Sequence, residues 1–308
     1  KSLMQKGIVV KSTGSWYIVR MDNGEIVECR IRGRFRIEGI RTTNPVAVGD
    51  CVVVEMGTEG GVITGIEPRK NYIIRKSTNL SKESHILAAN VDQALLVVTV
   101  NHPVTSTVFI DRFLASAEAY NIPTVIVFNK VDLYDEEDLA MLGGLMAIYR
   151  KIGYTCLGVS AVRDEGVDEV RKILNGKVTV LSGLSGVGKS TLINRVEPGL
   201  DLKTAMISDA HDSGKHTTTF AEMFPLTGGG SIIDTPGVRS FGVVDMKKEE
   251  ISHFFPEIFA CAGECRFYNC THTHEPGCAV LEAVEAGEVS ESRYASYLSM
   301  LEESGKYR

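Results

Sequence analysis

Apolar and polar positions alternate through the first 70 residues with no helical period. Segments 7–10, 16–20, 26–31, 51–55 and 62–66 are rich in β-branched residues, and Asp22-Asn23-Gly24, Asn44-Pro45 and the glycines of 57–61 punctuate them. Five short strands in that length predict a small closed barrel of the OB type, although another small β-barrel fits the pattern as well. Beyond it the pattern changes. Near-continuous apolar strands at 93–100, 124–128, 157–159, 178–181 and 231–233 alternate with helix-like stretches such as 110–120, 136–149 and 190–195. Strands that read apolar throughout are covered on both faces, so this region predicts a doubly wound, mostly parallel α/β sheet. From about residue 246 the pattern is helical, and a last helix over 288–303 places Tyr294, Tyr297, Leu298 and Leu301 on one face. The expected division is therefore a barrel over 1–70, an α/β domain over 71–245 and a helical domain over 246–308.

The longest apolar run, 94–100, is far short of the ~20 residues that cross a bilayer, and residues 1–11 lack the apolar core of a signal peptide. A cytoplasmic chain with no membrane partner is expected. The 44% hydrophobic and 23% charged content suits a globular protein with a sizeable core. A net charge of −6 does not point to nucleic acid, but its distribution permits a basic end facing an anionic partner. Residues 1–70 carry 11 Lys+Arg against 8 Asp+Glu, a net +3, which leaves −9 on the remainder.

Candidate chemistry lies at the ends of the predicted strands. Gly183-Leu184-Ser185-Gly186-Val187-Gly188-Lys189-Ser190 leaves strand 178–181 and opens a helix that continues with Thr191. This is the context a phosphate-binding loop requires: glycines turn backbone N–H groups toward phosphates, Lys189 neutralises β/γ oxygens and Ser190 ligates Mg²⁺. Asp234-Thr235-Pro236-Gly237 follows strand 231–233, where Asp234 suits a water-mediated metal contact and the Gly237 N–H a γ-phosphate. Asn129-Lys130-Val131-Asp132 ends strand 124–128. The Asp132 carboxylate can accept both the N1–H and the exocyclic amine of guanine and would be left unpaired by adenine. Asn129 is placed to tie loops together, and the Lys130 stem to cover the base. Val159-Ser160-Ala161, after the next strand, offers N–H groups at Ser160 and Ala161 to guanine O6. Four motifs at four strand ends define a GTP site.

The order of these motifs is inverted, because the base-reading motif precedes the phosphate loop. Between the phosphate loop and Asp234 lies Gly214-Lys215-His216-Thr217-Thr218-Thr219, in which Thr218, with Thr217 and Thr219 as rivals, is expected to ligate Mg²⁺ and sense the γ-phosphate. Val238 follows Gly237 where many GTPases carry a glutamine that orients water. His216 is the nearest candidate for that role, a structural loop histidine being the other reading. Slow intrinsic hydrolysis, stimulated by a partner, is expected. An ATP-using kinase is disfavoured by Asp132 and by the lack of a second-substrate motif.

Seven cysteines is an odd count, and four fall between Cys261 and Cys278. Cys265, Cys270, His272 and Cys278 supply three thiolates and an imidazole, a set suited to a closed structural Zn²⁺ site, with Cys261 and His274 as spares. In the barrel, Arg30, Arg32, Arg34 and Arg36 recur at period two, which puts four guanidiniums on one strand face unless Gly33 breaks it. Such a face suits RNA, and the neighbouring Trp16 or Tyr17 could stack a base while the other joins the core.

With its base motif first, then Val159-Ser160-Ala161, the phosphate loop, Lys215-His216-Thr217-Thr218-Thr219 and Asp234-Thr235-Pro236-Gly237, the chain resembles the circularly permuted GTPases of small ribosomal subunit biogenesis, the RsgA (YjeQ) family. The resemblance spans nearly the whole chain. It implies an OB-fold barrel, a permuted GTPase domain and a zinc domain. It also implies late maturation of the 30S ribosomal subunit, contact with 16S rRNA near the decoding region, and GTP hydrolysis to GDP stimulated by the subunit. Lys215 stands where the family carries arginine, and lysine lacks the planar fork for a bidentate contact. A monomer with no DNA partner is expected. A GTP-gated module for another structured RNA is the alternative. The short span from Gly237 to the Cys/His segment further predicts that movement at the γ-phosphate is transmitted to that module, GTP holding it in an RNA-binding pose.

Overall fold

A computed structural model describes residues 4–31, 45–58, 60–76, 84–200, 221–234 and 246–306. The first unit contains β1 (Met4–Ser12), β2 (Tyr17–Met21), β3 (Ile26–Ile31), β4 (Cys51–Gly57) and β5 (Gly60–Ile66). Alternation decides its packing: Tyr17, Val19 and Met21 of β2 and Val27 and Cys29 of β3 point inward, while the residues between them face outward. β1 pairs with β2 and β4, β2 with β3, β3 runs parallel to β5, and β5 returns to β4. The ring closes as a five-stranded barrel of the OB type.

A hairpin that the sequence pattern did not predict, β6 (Tyr72–Lys76) and β7 (Ser84–Ala89), links the barrel to the α/β sheet. That sheet contains β8 (Gln93–Val98), β9 (Thr124–Phe128), β10 (Thr155–Gly158), β11 (Val178–Ser182), β12 (Glu222–Pro225) and β13 (Ser231–Asp234). Its order is β10-β9-β8-β11-β13-β12, parallel except for the edge strand β12. Every residue of β8 is buried. Leu96 and Val98 pack into one core, Leu95 and Val97 into the other, as a strand covered on both faces requires. The helices on these faces are α1 (Thr107–Ala119), α2 (Glu136–Ile152), α3 (Val167–Leu174) and α4 (Lys189–Val196). Ser106 caps α1 by accepting from Phe109 N, and Asp135 caps α2 by accepting from Asp138 N. Each such cap contributes about 1 kcal/mol.

The C-terminal part holds a 3-10 segment (Lys248–Phe254), α5 (Pro256–Ala262), α6 (Ala279–Glu285) and α7 (Glu291–Lys306). Tyr297 and Leu301 of α7 are buried, and Tyr294 and Leu298 are packed beside them. α7 lies against α1 through an ion cluster in which Arg293 and Asp111 are fully buried and Glu257 nearly so. The Arg293 guanidinium donates to Asp111 of α1 at 3.0 Å and to both oxygens of Glu257 at 2.5 and 3.0 Å. It also stacks 4.5 Å over the Phe255 ring. Tyr149 and Ser296 hydroxyls complete the shell of Asp111 at 2.9 and 2.6 Å. Burial pushes the Asp111 carboxyl up, while its carboxylate neighbours keep Arg293 charged.

The barrel is joined as firmly. Ala89 N donates to the Val48 carbonyl at 2.8 Å, Asn90 Nδ2 donates to the Gly49 carbonyl at 3.0 Å, and β1 meets the sheet edge at Lys11 opposite Glu222. No helix among the described residues is long and apolar enough to cross a membrane.

Candidate functional site: nucleotide loops and a metal cluster

At the carboxyl ends of β8, β9, β10, β11 and β13 the loops carrying Asn129, Asp132, Ser160, the 183–190 segment and Asp234 converge. Asn129 is the hub. Its side chain is 2% exposed. Its Nδ2 donates to the Val187 carbonyl of the glycine-rich loop at 2.9 Å, and its Oδ1 accepts from Ala161 N at 3.1 Å. One amide thus joins three loops from separate strands. Tyr134 supports it from below, donating to the Asn129 carbonyl at 2.7 Å and accepting from Val100 N at 2.8 Å. Asp132 accepts from the Ser160 hydroxyl at 2.6 Å, which ties the carboxylate to the loop after β10. Lys130, in the left-handed region at φ 65°, extends to the His102 carbonyl at 2.6 Å.

The glycine-rich loop is shaped by contacts that admit no side chain. Gly183 has φ 145°, and a Cβ there would lie 2.2 Å from the Val97 carbonyl. At Gly188, with φ 93°, a Cβ would lie 2.4 Å from Asn129 Nδ2. The Lys189 ammonium curls back onto the Gly183 and Leu184 carbonyls at 2.8 and 2.7 Å. Ser185 and Gly186 are exposed at the loop's tip, Val187 is buried beneath it, and Ser190 and Thr191 follow in the first turn of α4. Asp234 ends β13, 7% exposed, one strand away from the loop.

The second cluster lies between α5 and α6. Ligand atoms of Cys265, Cys270, His272 and Cys278 all lie within 4.8 Å of one another, an arrangement that could hold a metal ion. His272 Nδ1 is 3.5 Å from the sulfurs of Cys265 and Cys278, which are 3.9 Å apart. Burial lowers the His272 imidazole, favouring the neutral form that ligates, and pushes the Cys270 thiol up to about 12. The chain around the ligands is pinned by its neighbours. Tyr294 and Tyr297 donate to the His272 and Thr271 carbonyls at 2.7 and 2.8 Å. Glu275 accepts from the Thr271, Thr273 and His274 amides at 2.7, 3.0 and 3.2 Å. Burial opposes the Glu275 charge, but the bonds from the Thr271 hydroxyl and from the Thr271 and Thr273 amides outweigh it, holding the carboxyl well below its usual range. The spare cysteine, Cys261, donates to the Glu257 carbonyl, and His274 pairs with Thr273.

The family model described as RsgA GTPase matches residues 66–244, and that described as RsgA N-terminal domain matches residues 6–63. The chain belongs to the RsgA GTPase family. It is 63% identical over 306 residues, covering 98% of this chain and 99% of the relative, to the small ribosomal subunit biogenesis GTPase RsgA of Bacteroides fragilis strain YCH46. Its identity to the RsgA of Porphyromonas gingivalis strain ATCC 33277 is 56% over 98% of both chains. The crystal structure of YjeQ from Thermotoga maritima superposes with a TM-score of 0.82 at 39% identity, over 99% of this chain and 100% of that one. YloQ, a circularly permuted GTPase, superposes with a TM-score of 0.75 at 30% identity, over 99% of this chain and 96% of that one. The protein is a circularly permuted GTPase, and its reaction is hydrolysis of GTP.

Within this RsgA fold, Thr218, His216, Gly237 and three of the strand arginines, Arg32, Arg34 and Arg36, lie outside the described residues. Arg30 is exposed on the outer face of the barrel. Tyr17 joins the barrel core, while Trp16 stays at the surface. Sequence reasoning missed Tyr134, His102, Glu275 and the buried Arg293. Tyr134 had one weak signal, an aromatic two residues past the base motif, and the rest became legible only through contacts far apart in the chain.

Proposed function

We propose that this chain is a GTP-hydrolysing factor of small ribosomal subunit maturation, contacting 16S rRNA and stimulated by the 30S particle. The observation that carries the reading is the Asn129 junction of phosphate loop and base loops, in a chain 63% identical end to end to a relative named as a small ribosomal subunit biogenesis GTPase. In this reading Asp132 accepts the guanine N1–H and amine, the Lys130 stem covers the base, and the Ser160 and Ala161 amides donate to O6. The 183–190 amides cradle the phosphates. Lys189, already drawn over the loop, transfers its ammonium from the Gly183 and Leu184 carbonyls to the β/γ oxygens. Thr191 supports the same turn.

Mg²⁺, which neutralises charge on the departing phosphate when bound, would be held by Ser190 and Thr218, with Asp234 in its outer shell. The Gly237 N–H meets the γ-phosphate, and His216, beside Thr218, takes the role of orienting water. For the C-terminal cluster we infer zinc. A tetrahedron with metal–sulfur bonds of about 2.3 Å has edges of about 3.8 Å, close to the separations among Cys265, His272 and Cys278. Such an ion is structural, since three thiolates and an imidazole leave no open position.

The reading also takes 1–70, 71–245 and 246–308 as working units and a cytoplasmic monomer as the active form, with no DNA or membrane partner. The test measures GTP hydrolysis by the protein alone, with small subunits and with large subunits, ATP serving as control. Stimulation by small subunits alone, with ATP inert, is expected. A rate indifferent to small subunits overturns the assignment of partner.

A further inference from the structure

The turn joining β1 to β2 is locked by three hydrogen bonds: Thr13 N and Oγ1 donate to the Trp16 carbonyl at 2.9 and 3.1 Å, and Trp16 N donates to Thr13 Oγ1 at 3.3 Å. Tyr17 pairs with Cys29 across the antiparallel ladder, and both point into the core. Trp16 and Arg30, one step further along, therefore both stand on the outer face. There the Arg30 guanidinium carbon lies 3.7 Å over the centroid of the Trp16 ring. That separation is a close cation–π contact, and Arg30 stays exposed to solvent while making it.

A guanidinium stacked in this way keeps its in-plane N–H edge, but the exposed Glu28 occupies the same face two residues away and disfavours a phosphate there. A delocalised cation against a ring and open to solvent is instead a platform on which a nucleobase stacks. The net +3 of residues 1–70 against −9 elsewhere brings polyanions to this end of the molecule.

We propose that Trp16 and Arg30 form a base-stacking subsite of the barrel, taking an unpaired base of RNA on the Arg30 guanidinium. This rests on the RNA partner inferred above and adds that the grip is on a splayed base rather than on a duplex backbone.

The chain has a single tryptophan, so its emission reports this position alone. The full-length protein is titrated with single-stranded oligoadenylate, with the same strand made abasic, and with an RNA duplex. Affinity is followed in parallel by anisotropy of the labelled strand. Quenching by the single strand only is expected. Trp16→Ala and Arg30→Lys should each weaken that binding roughly tenfold, and Trp16→Phe should weaken it less. Arg30→Lys keeps the charge and changes an exposed side chain, so it decides the matter even if Trp16→Ala melts early. Wild-type affinity in Arg30→Lys, or equal binding of the abasic strand, overturns the subsite while leaving the ribosomal reading intact. A wild-type protein that binds neither these RNAs nor small subunits overturns both.

Discussion

Removing the Asn129 side chain tests whether the nucleotide loops are preassembled. Asn129→Ala deletes the 2.9 Å bond to the Val187 carbonyl and the 3.1 Å bond from Ala161 N. Leaving two buried backbone groups without partners costs about 1–3 kcal/mol each, so about 2–6 kcal/mol in all. The loops sit at strand ends and are free to open to water, which recovers part of that, so the lower end applies. These two bonds hold loops to one another and do not hold the core together. The loss therefore falls mainly on ligand binding, and about 2 kcal/mol corresponds to roughly thirtyfold weaker GDP binding. Calorimetric titration of GDP, beside urea denaturation of the same variant, separates the two effects. The expected outcome is a large loss of affinity with a small loss of global stability. Wild-type affinity for GDP in Asn129→Ala would refute the argument, whatever the denaturation midpoint.

Breaking the Arg293 cluster should act on the fold instead. Arg293→Met leaves the buried Asp111 without its cation and should lower stability by about 3–5 kcal/mol, and adding Asp111→Leu should recover part of it; strictly additive losses in urea melts would contradict the pairing. Stripping the Cys/His cluster with a strong chelator should remove hydrogen-exchange protection from α6 and α7 and spare β8, since metal binding at such sites carries an apparent ~10–16 kcal/mol; unchanged protection counts against a metal. Asp92 supplies a pH test. Burial raises its carboxyl, but the Lys70 bond and a 2.7 Å bond from Val178 N outweigh it and hold the group below its ordinary value. Its contribution is therefore present above the unfolded carboxylate value of 3.8 and lost as pH falls through the folded one. Asp92→Asn should flatten the acid limb of stability against pH, and an unchanged limb would exclude this pair as a contributor.

Much of this architecture can be read along the chain, and the exceptions have physical causes. Strands β8, β9 and β11 are legible because burial on both faces makes them apolar throughout, and their ends carry motifs whose chemistry restricts residue type. β12 is four residues long and ends in Pro225, so local pattern offers little to identify it. The β6–β7 hairpin mixes Arg75, Lys76 and Ser84 into its strands and lacks a clean alternation. Barrel closure through the β3–β5 and β1–β4 pairs joins segments distant in sequence, which no periodicity encodes. Period-two arginines put Arg30 on one strand face and the sequence offered Trp16 or Tyr17 as a stacking aromatic, but only the register shows which of the two meets Arg30. Asp111 reads as a polar interruption in an amphipathic helix, and nothing nearby hints at an arginine 182 residues later.

That arginine changes how the molecule can use its two ends. A C-terminal module hung only on the chain leaving Asp234 would swing like a flap. With Arg293 sunk between Asp111 and Glu257, and the barrel held at the other side through Val48, Gly49 and Lys11, both ends are set against the GTPase core between them. A body built this way keeps its barrel and its metal cluster at one separation, as the jaws of a set calliper are kept.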